Sequence, residues 1–242
     1  MTASDPTGLV WFDEPERPKA TEHLSRERIV AAAVEAADQQ VTGEITMRAL
    51  ATRLGVRSPM ALYRYVGSKD WLSDLMADEV YAEIGVPRGE GWRTALRGIG
   101  RTGWAAVQRH PWFARLAFRR PPLGPHALEL YDAALAELGP LGLDAPTRMG
   151  FVNTVLGHVF GSGLALGEER AMRARAGLAS DADLANAVAP YLARIAAAGD
   201  HPHFSRWAAD PDRNAPAPQT FEQTLEWLLD GLATLVPAAP AG

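Results

Sequence analysis

Between Ile45 and Lys69 the chain carries Arg48, Arg53, Arg57, Arg64 and Lys69 and not one Asp or Glu. That is a local charge of +5 in a chain whose formal charge is −5, leaving −10 for the rest. Guanidinium groups present a fixed fork of N–H donors, which suits phosphate oxygens and the O6/N7 edge of guanine. A basic end on an acidic remainder also orients a molecule in the field of a polyanion. The chemistry these residues offer is the gripping of duplex nucleic acid.

The elements that carry them follow from spacing. Ser25 is placed as an N-cap with Glu27 in the first turn. Val30, Val34, Ala37 and Val41 recur at helical spacing and predict a first helix to about Gln40. Thr46 caps a second helix with Met47, Leu50, Ala51 and Leu54 on one face. Gly55 falls where a helix end needs a positive φ. Ser58 and Pro59 read as N-cap and first position of a third helix. Ser68 and Asp70 open a fourth, with a buried stripe of Leu72, Leu75, Met76, Val80 and Ile84. Two short helices joined by a glycine turn are the outline of a helix-turn-helix, whose second helix enters the major groove.

Angles on the third helix assign its faces. With Leu62 and Val66 turned to the core, Met60 and Arg64 point directly away, flanked by Ala61 and Tyr63. Arg64 then suits guanine, Met60 and Ala61 a thymine methyl, and the Tyr63 hydroxyl a phosphate. Lys69 and the N–H groups at the start of the fourth helix suit a second phosphate. Arg48, near the start of the second helix, can do likewise or reach a base edge.

Within residues 24–84 the segments LSRERIVAAAVEAADQQ, TMRALATRLGV and SPMALYRYVGSKDWL resemble the TetR (tetracycline-repressor-like) family of bacterial transcriptional regulators, most specifically at LYRYV-x-x-K. The rest is similar in outline: Gly-Trp, a long helix, HPWF, RRPPLGP and a terminal helical hairpin. The resemblance implies an all-α homodimer with an N-terminal DNA-binding head and a divergent ligand-binding and dimerisation body. It implies a ligand-responsive regulator, by family habit a repressor released from a palindromic operator by a small-molecule effector. Arg48 matches the second-helix arginine that contacts DNA. Pro59, Tyr63, Arg64 and Tyr65 match recognition-helix positions, and Lys69 matches the phosphate contact. Arg57, Ser58 and Met60 complete the candidate set. The chain departs at the turn: Gly55 to Tyr63 is eight steps, where GV-x-P-x-x-LY has seven.

The organisation expected is a tail over 1–24 containing Trp11 and Phe12, a head over 25–70, a body over 71–236 and a frayed end over 237–242. After a break at Gly85, Pro87, Gly89 and Gly91, helices are expected near 91–109, 111–119, 123–138, 145–172, 180–198 and 218–236, with 199–218 a loop. Gly150, Thr154, Gly157, Gly161 and Ala165 form a stripe of small residues on one helix. Each mid-helix Gly costs about 1 kcal/mol against Ala, so the stripe needs a reason. The opposite face, with Val152, Val155, Val159 and Leu166, is apolar as well, and a helix apolar on both sides is buried on both. Gly157, Gly161 and Ala165 with Leu225, Leu228 and Leu232 of the last helix are therefore expected in a four-helix dimer interface. The alternative is an intrachain core. Trp104, Phe113, Tyr131, Phe151, Asn153 and His158 are the candidate effector pocket, against the blander reading that they are core aromatics.

The chain has no cysteine, which excludes disulfides and thiolate chemistry and fits a cytoplasmic location. No apolar run approaches a membrane span, and the N-terminus lacks a secretory layout. Asp200, His201 and His203 in DHPH lack a predictable third metal ligand. Glu168–Glu169 reads as a solvated pair, and Ser162 in GSG lies in a helical stretch rather than a nucleophile elbow. No phosphate-cradling glycine loop occurs. The sequence predicts no enzyme, cofactor or metal. The competing function is a small-molecule-binding or scaffolding helical protein whose head does not bind DNA.

Overall fold

The computed structural model describes residues 10–11, 24–40, 45–210 and 217–237. Among them the chain is all-α: α1 (Arg26–Asp38), α2 (Met47–Arg53), α3 (Pro59–Val66), α4 (Lys69–Tyr81), α5 (Trp92–Arg109), α6 (Phe113–Arg119), α7 (Pro125–Leu138), α8 (Ala145–Ala176), α9 (Asp181–Ala198), α10 (Pro202–Ala208) and α11 (Ala217–Ala233). A single 3₁₀ turn, Gly139–Leu141, follows α7.

Side-chain hydroxyls start the first four helices. Ser25, Thr46, Ser58 and Ser68 accept the N–H of Arg28, Ala49, Met60 and Trp71 at 3.2, 3.1, 3.3 and 3.0 Å. Each satisfies one of the orphan donors of a helix start. Ile29 and Ala33 of α1, Leu50 of α2 and Leu62 and Val66 of α3 close a small core between them. Gly67, at φ +69°, turns the chain from α3 into α4, and a Cβ there would lie 2.0 Å from the Trp71 ring. Only glycine meets both demands.

The body is built around α5 and α8. Their closeness depends on glycine: a Cβ on Gly103 would lie 3.1 Å from Val159, and one on Gly163 2.7 Å from Val107. α11 lies antiparallel to α5, because Arg93, Arg97 and Arg101 pair in descending order with Asp230, Glu226 and Glu222. α4 belongs to both units, packing on α1 and on α6 and α7.

Three expectations change. α8 runs to Ala176 rather than 172, ending at Gly177 in the left-handed region. Its 32 residues, with a mean hydropathy of 1.3 over its most apolar stretch, are long and apolar enough to cross a membrane, contrary to the reading that no segment is. Phe151, Val155 and Val159 are packed inside the protein instead. The segment 199–218 is not all loop, since Pro202 supplies a preset first position for α10. α9 and α10 pack on each other and bury none of their own residues, leaving Tyr191, Phe204 and Trp207 exposed.

Candidate nucleic-acid interface and effector cleft

The face predicted to grip DNA is assembled from α2, the turn and α3. Leu62 and Val66 are fully buried, while Met60 on the opposite side is 70% exposed and Arg64 is exposed. Arg48, Arg57, Ser58 and Lys69 are exposed too; Pro59, Tyr63 and Tyr65 are half-buried. Among the described residues Arg48, Arg57, Arg64 and Lys69 form no ion pair. Arg53 differs from them. It reaches back to α1, where Glu35 Oε2 and Gln39 Oε1 accept its guanidinium at 2.8 and 3.0 Å. Arg26 Nε donates to Tyr65 O at 3.0 Å and holds the end of α3 in place. Among the described residues the head therefore keeps four exposed cations of the acid-free stretch 45–69 out of ion pairs and uses two arginines to brace itself.

The six candidate pocket residues do not converge. Trp104 and His158 line one cleft of about 750 Å³ between α5, α8, α11 and the α9–α10 arm. Phe113 and Phe151 are core, fully or almost fully buried, with Phe113 meeting Tyr81 edge-on at 5.1 Å. Tyr131 Oη donates to Asn153 Oδ1 at 3.2 Å, a pair outside the cleft. Trp104, Phe221 and His158 stack in sequence, with centroids 4.4 and 4.8 Å apart and planes within 8° of parallel. Burial pushes the His158 imidazole below its ordinary pKa, opposed by a backbone hydrogen bond at Phe221. His158 Nε2 lies 2.9 Å from Thr224 Oγ1. The Trp104 indole N–H is buried with no hydrogen-bond partner among the described residues. Ser162 and Leu166 of α8 and Phe221 and Thr224 of α11 share this wall, and the charged Glu169, Arg173 and Asp181 line the same cleft. The α8 spacing could have supplied the first two, since they follow His158 by one and two turns. Phe221 and Thr224 needed the pairing of α11 with α5.

The family model described as "Tetracyclin repressor-like, C-terminal domain" matches residues 86–236. The HTH-type transcriptional repressor DrrR1 of Streptomyces coeruleorubidus is 35% identical over 222 residues, 90% of this chain and 80% of that one. The chain belongs to the TetR family. The tetracycline repressor protein class A from transposon 1721 of Escherichia coli is 30% identical over 87% of this chain and 91% of its own length. Among solved structures, the TetR-family protein ActR of Streptomyces coelicolor in complex with actinorhodin matches with a TM-score of 0.73 at 26% identity, covering 89% of this chain and 99% of ActR. This TetR-family chain is thus a ligand-responsive, DNA-binding transcriptional regulator. The resemblance visible in the sequence was strongest in the head, whereas the family model matches the body.

In this TetR-family body the small stripe of α8 lies open: Gly157, Gly161 and Ala165 are exposed, and nothing stands within 4 Å of where a Cβ on either glycine would be. The last helix presents a different side than expected. Leu225 and Leu232 are buried in the chain's own core, so the expectation that these two face a partner is corrected, while Leu228 is half-buried and keeps part of its surface outward. A Cβ on Gly100 would lie 2.6 Å from the Leu225 side chain, which shows what holds that face inward. The outer side of α11 is Trp227 and Gly231, followed by Leu235 in the turn after the helix, with Trp227 61% exposed. Glu168 pairs with Arg115, and Glu169 with Arg173. Among the described residues no three His, Asp or Glu side chains gather into a metal-sized cluster.

Proposed function

We propose that the protein is a cytoplasmic repressor that binds a palindromic operator as a homodimer and is released by a small molecule. The observation that carries this reading is the acid-free stretch 45–69, in which Arg48, Arg57, Arg64 and Lys69 are exposed without ionic partners among the described residues and Met60 is exposed with them. In a dimer, two copies of α3 would enter successive major grooves about one helical turn apart. Arg64 and Met60 would read base edges; Arg48, Tyr63 and Lys69 would hold phosphates; Arg57 and Ser58 would meet the backbone beside the turn. The half-buried Pro59 and Tyr65 would set the pitch of the helix rather than touch bases. The dimer would join the open stripe Gly157, Gly161 and Ala165 of α8 to Trp227 and Gly231 of α11 and Leu235 just beyond it, giving a four-helix interface.

The effector would occupy the cleft beside Trp104 and His158. Its wall sets the rings of Trp104, Phe221 and Trp207 beside His158, Ser162 and Thr224 and the charged Glu169, Arg173 and Asp181, which favours a flat aromatic molecule carrying polar groups. ActR, solved with actinorhodin, supports a ligand of this kind in a body of this shape. A ligand that binds one head spacing better than the other lowers operator affinity by the same factor.

The test is a titration of a fluorescent duplex taken from immediately upstream of the protein's own gene, at low salt, alongside the solution mass by light scattering. The expected result is saturable binding by a dimer, with affinity falling steeply as salt rises. A monomer at micromolar concentration, or no binding to any such duplex, overturns the reading.

A further inference from the structure

Val10 and Trp11 precede the head in sequence, yet they dock on the joint between head and body. Val10 is 1% exposed, and its N–H points to Asp74 Oδ2 at 3.4 Å. The two residues wall a cavity of about 320 Å³ together with Val30 of α1, Leu75 of α4, and Pro125 and His126 at the start of α7. Trp11 also reaches the loop ahead of α7. A Cβ on Gly124 would lie 2.7 Å from Trp11 Cζ2 and 2.1 Å from Asp78 Oδ1, so only glycine leaves room for both. One dipeptide thus faces α1 of the head across this cavity, bonds to the linking helix α4, and meets the body at the start of α7.

The groups it meets on α4 are themselves unusual. Asp74 and Asp78 lie one turn apart and are each 5% exposed. A buried carboxylate is costly unless it is fully partnered. Asp74 takes a two-pronged grip from Arg120, with Nη2 to Oδ2 at 2.7 Å. Asp78 accepts the N–H of Ala127 at 3.0 Å and of His126 at 3.3 Å, at the positive end of α7. The His126 ring nitrogen Nδ1 stands 3.1 Å from the same carboxylate, close but off the hydrogen-bond direction. α4 is therefore bolted to the α6–α7 segment at two points, and Val10 shares an oxygen with one of the bolts.

We propose that the Val10–Trp11 dipeptide is a strap that locks the head against the body at one angle, restraining the swing on which operator spacing depends. Its mechanical half needs neither DNA nor ligand, and only its consequence for regulation rests on the function proposed above. Val10→Asp would place a third carboxylate beside Asp74 and Asp78 and expel the segment. Trp11→Ala would remove the ring from Gly124 and leave the Asp74–Arg120 pair intact. Hydrogen exchange on the full chain reads both.

Val10→Asp is expected to speed exchange at least about tenfold around Val30, Leu75 and Ala127, with no change around Ile99 and Val155 in the body core. Trp11→Ala is expected to do the same by a smaller factor. Unchanged exchange at the joint in both variants overturns the strap. So does an increase spread evenly over the whole chain in both, which would make Val10 and Trp11 ordinary core residues. Neither result depends on whether the operator titration succeeds.

Discussion

The outer face of the head and the α5 helix of the body treat their cations in opposite ways. On α5, Arg93, Arg97 and Arg101 each face a carboxylate of α11, and Arg115, Arg109 and Arg173 are likewise answered by Glu168, Glu83 and Glu169. In the head, Arg48, Arg57, Arg64 and Lys69 have no such answer among the described residues. A guanidinium already held by carboxylates is part of the fold, while one held by nothing keeps its donors for phosphate or guanine. Exposed Arg119, Arg170 and Arg175 of the body also lack an ion pair among the described residues, so it is unpaired charge gathered in one acid-free stretch, not unpaired charge alone, that marks the surface proposed to bind DNA. Arg53 lies on the boundary, since it sits in the basic window but is bound to Glu35 and Gln39.

The largest effect that would break this contrast lies in the body. Leu225 is fully buried against Gly100, so Leu225→Ala should lower unfolding free energy by about 2–5 kcal/mol, as truncations of packed leucines do. Denaturant unfolding measures it, and the variant should remain dimeric while folded. A variant of unchanged stability that dissociates into monomers would restore Leu225 to the interface and reverse the faces assigned to α11.

Much of this was legible beforehand, and for identifiable reasons. The head's helices begin at Ser25, Thr46, Ser58 and Ser68, and a hydroxyl cap is a local signal that needs no knowledge of the rest of the chain. The outward set of Met60 and Arg64 follows from 100° steps about two buried residues. The body is different because its faces are chosen by partners distant in sequence. Leu225 and Trp227 are equally apolar to a reader of α11 alone. Only the arginine ladder of α5 and the absent Cβ of Gly100 decide which one turns inward. Phe113 and Phe151 looked like pocket walls because aromatic type does not distinguish a filled core from a lined cavity. Trp11 fell in a segment with no helical period, so no pattern linked it to Asp78 or Gly124. Phe12 lies outside the described residues.

A smaller effect sharpens the contrast inside the head. If Arg64 forks onto a guanine, Arg64→Ala should cost about 1–3 kcal/mol of operator affinity and relax one base position. Lys69→Ala should weaken all duplexes about equally and reduce the salt slope by about one. Arg53→Ala, removing a braced arginine, should leave both the affinity and its salt slope as they are. Binding isotherms at several salt concentrations separate the three. Equal losses for Arg53→Ala and Arg64→Ala would mean that ionic partners on the protein do not decide which arginines meet DNA.

The smallest effect concerns the ladder itself, and acid should find it. Hydrogen bonds from Arg97 first, and then from Arg93, pull the Glu226 carboxyl down to about 2, against partial desolvation. A carboxyl lowered on folding stabilises the protein above its ordinary value near 4.5, and that contribution is lost as pH falls towards 2. The Glu226 side chain is 36% exposed, so screening keeps each pair at about 0.2–1 kcal/mol. His158 acts in a separate window. Its lowered pKa means that stability is fully present above its ordinary value of 6.5 and is lost as pH drops below it. Glu226→Gln should therefore remove only the lower window, and the stability gap between variant and wild type should close as pH falls from 4.5 towards about 2. A gap that stays constant over that range would show that α11 is held to α5 by Leu225 and its neighbours alone, with the ladder's charges balanced but idle.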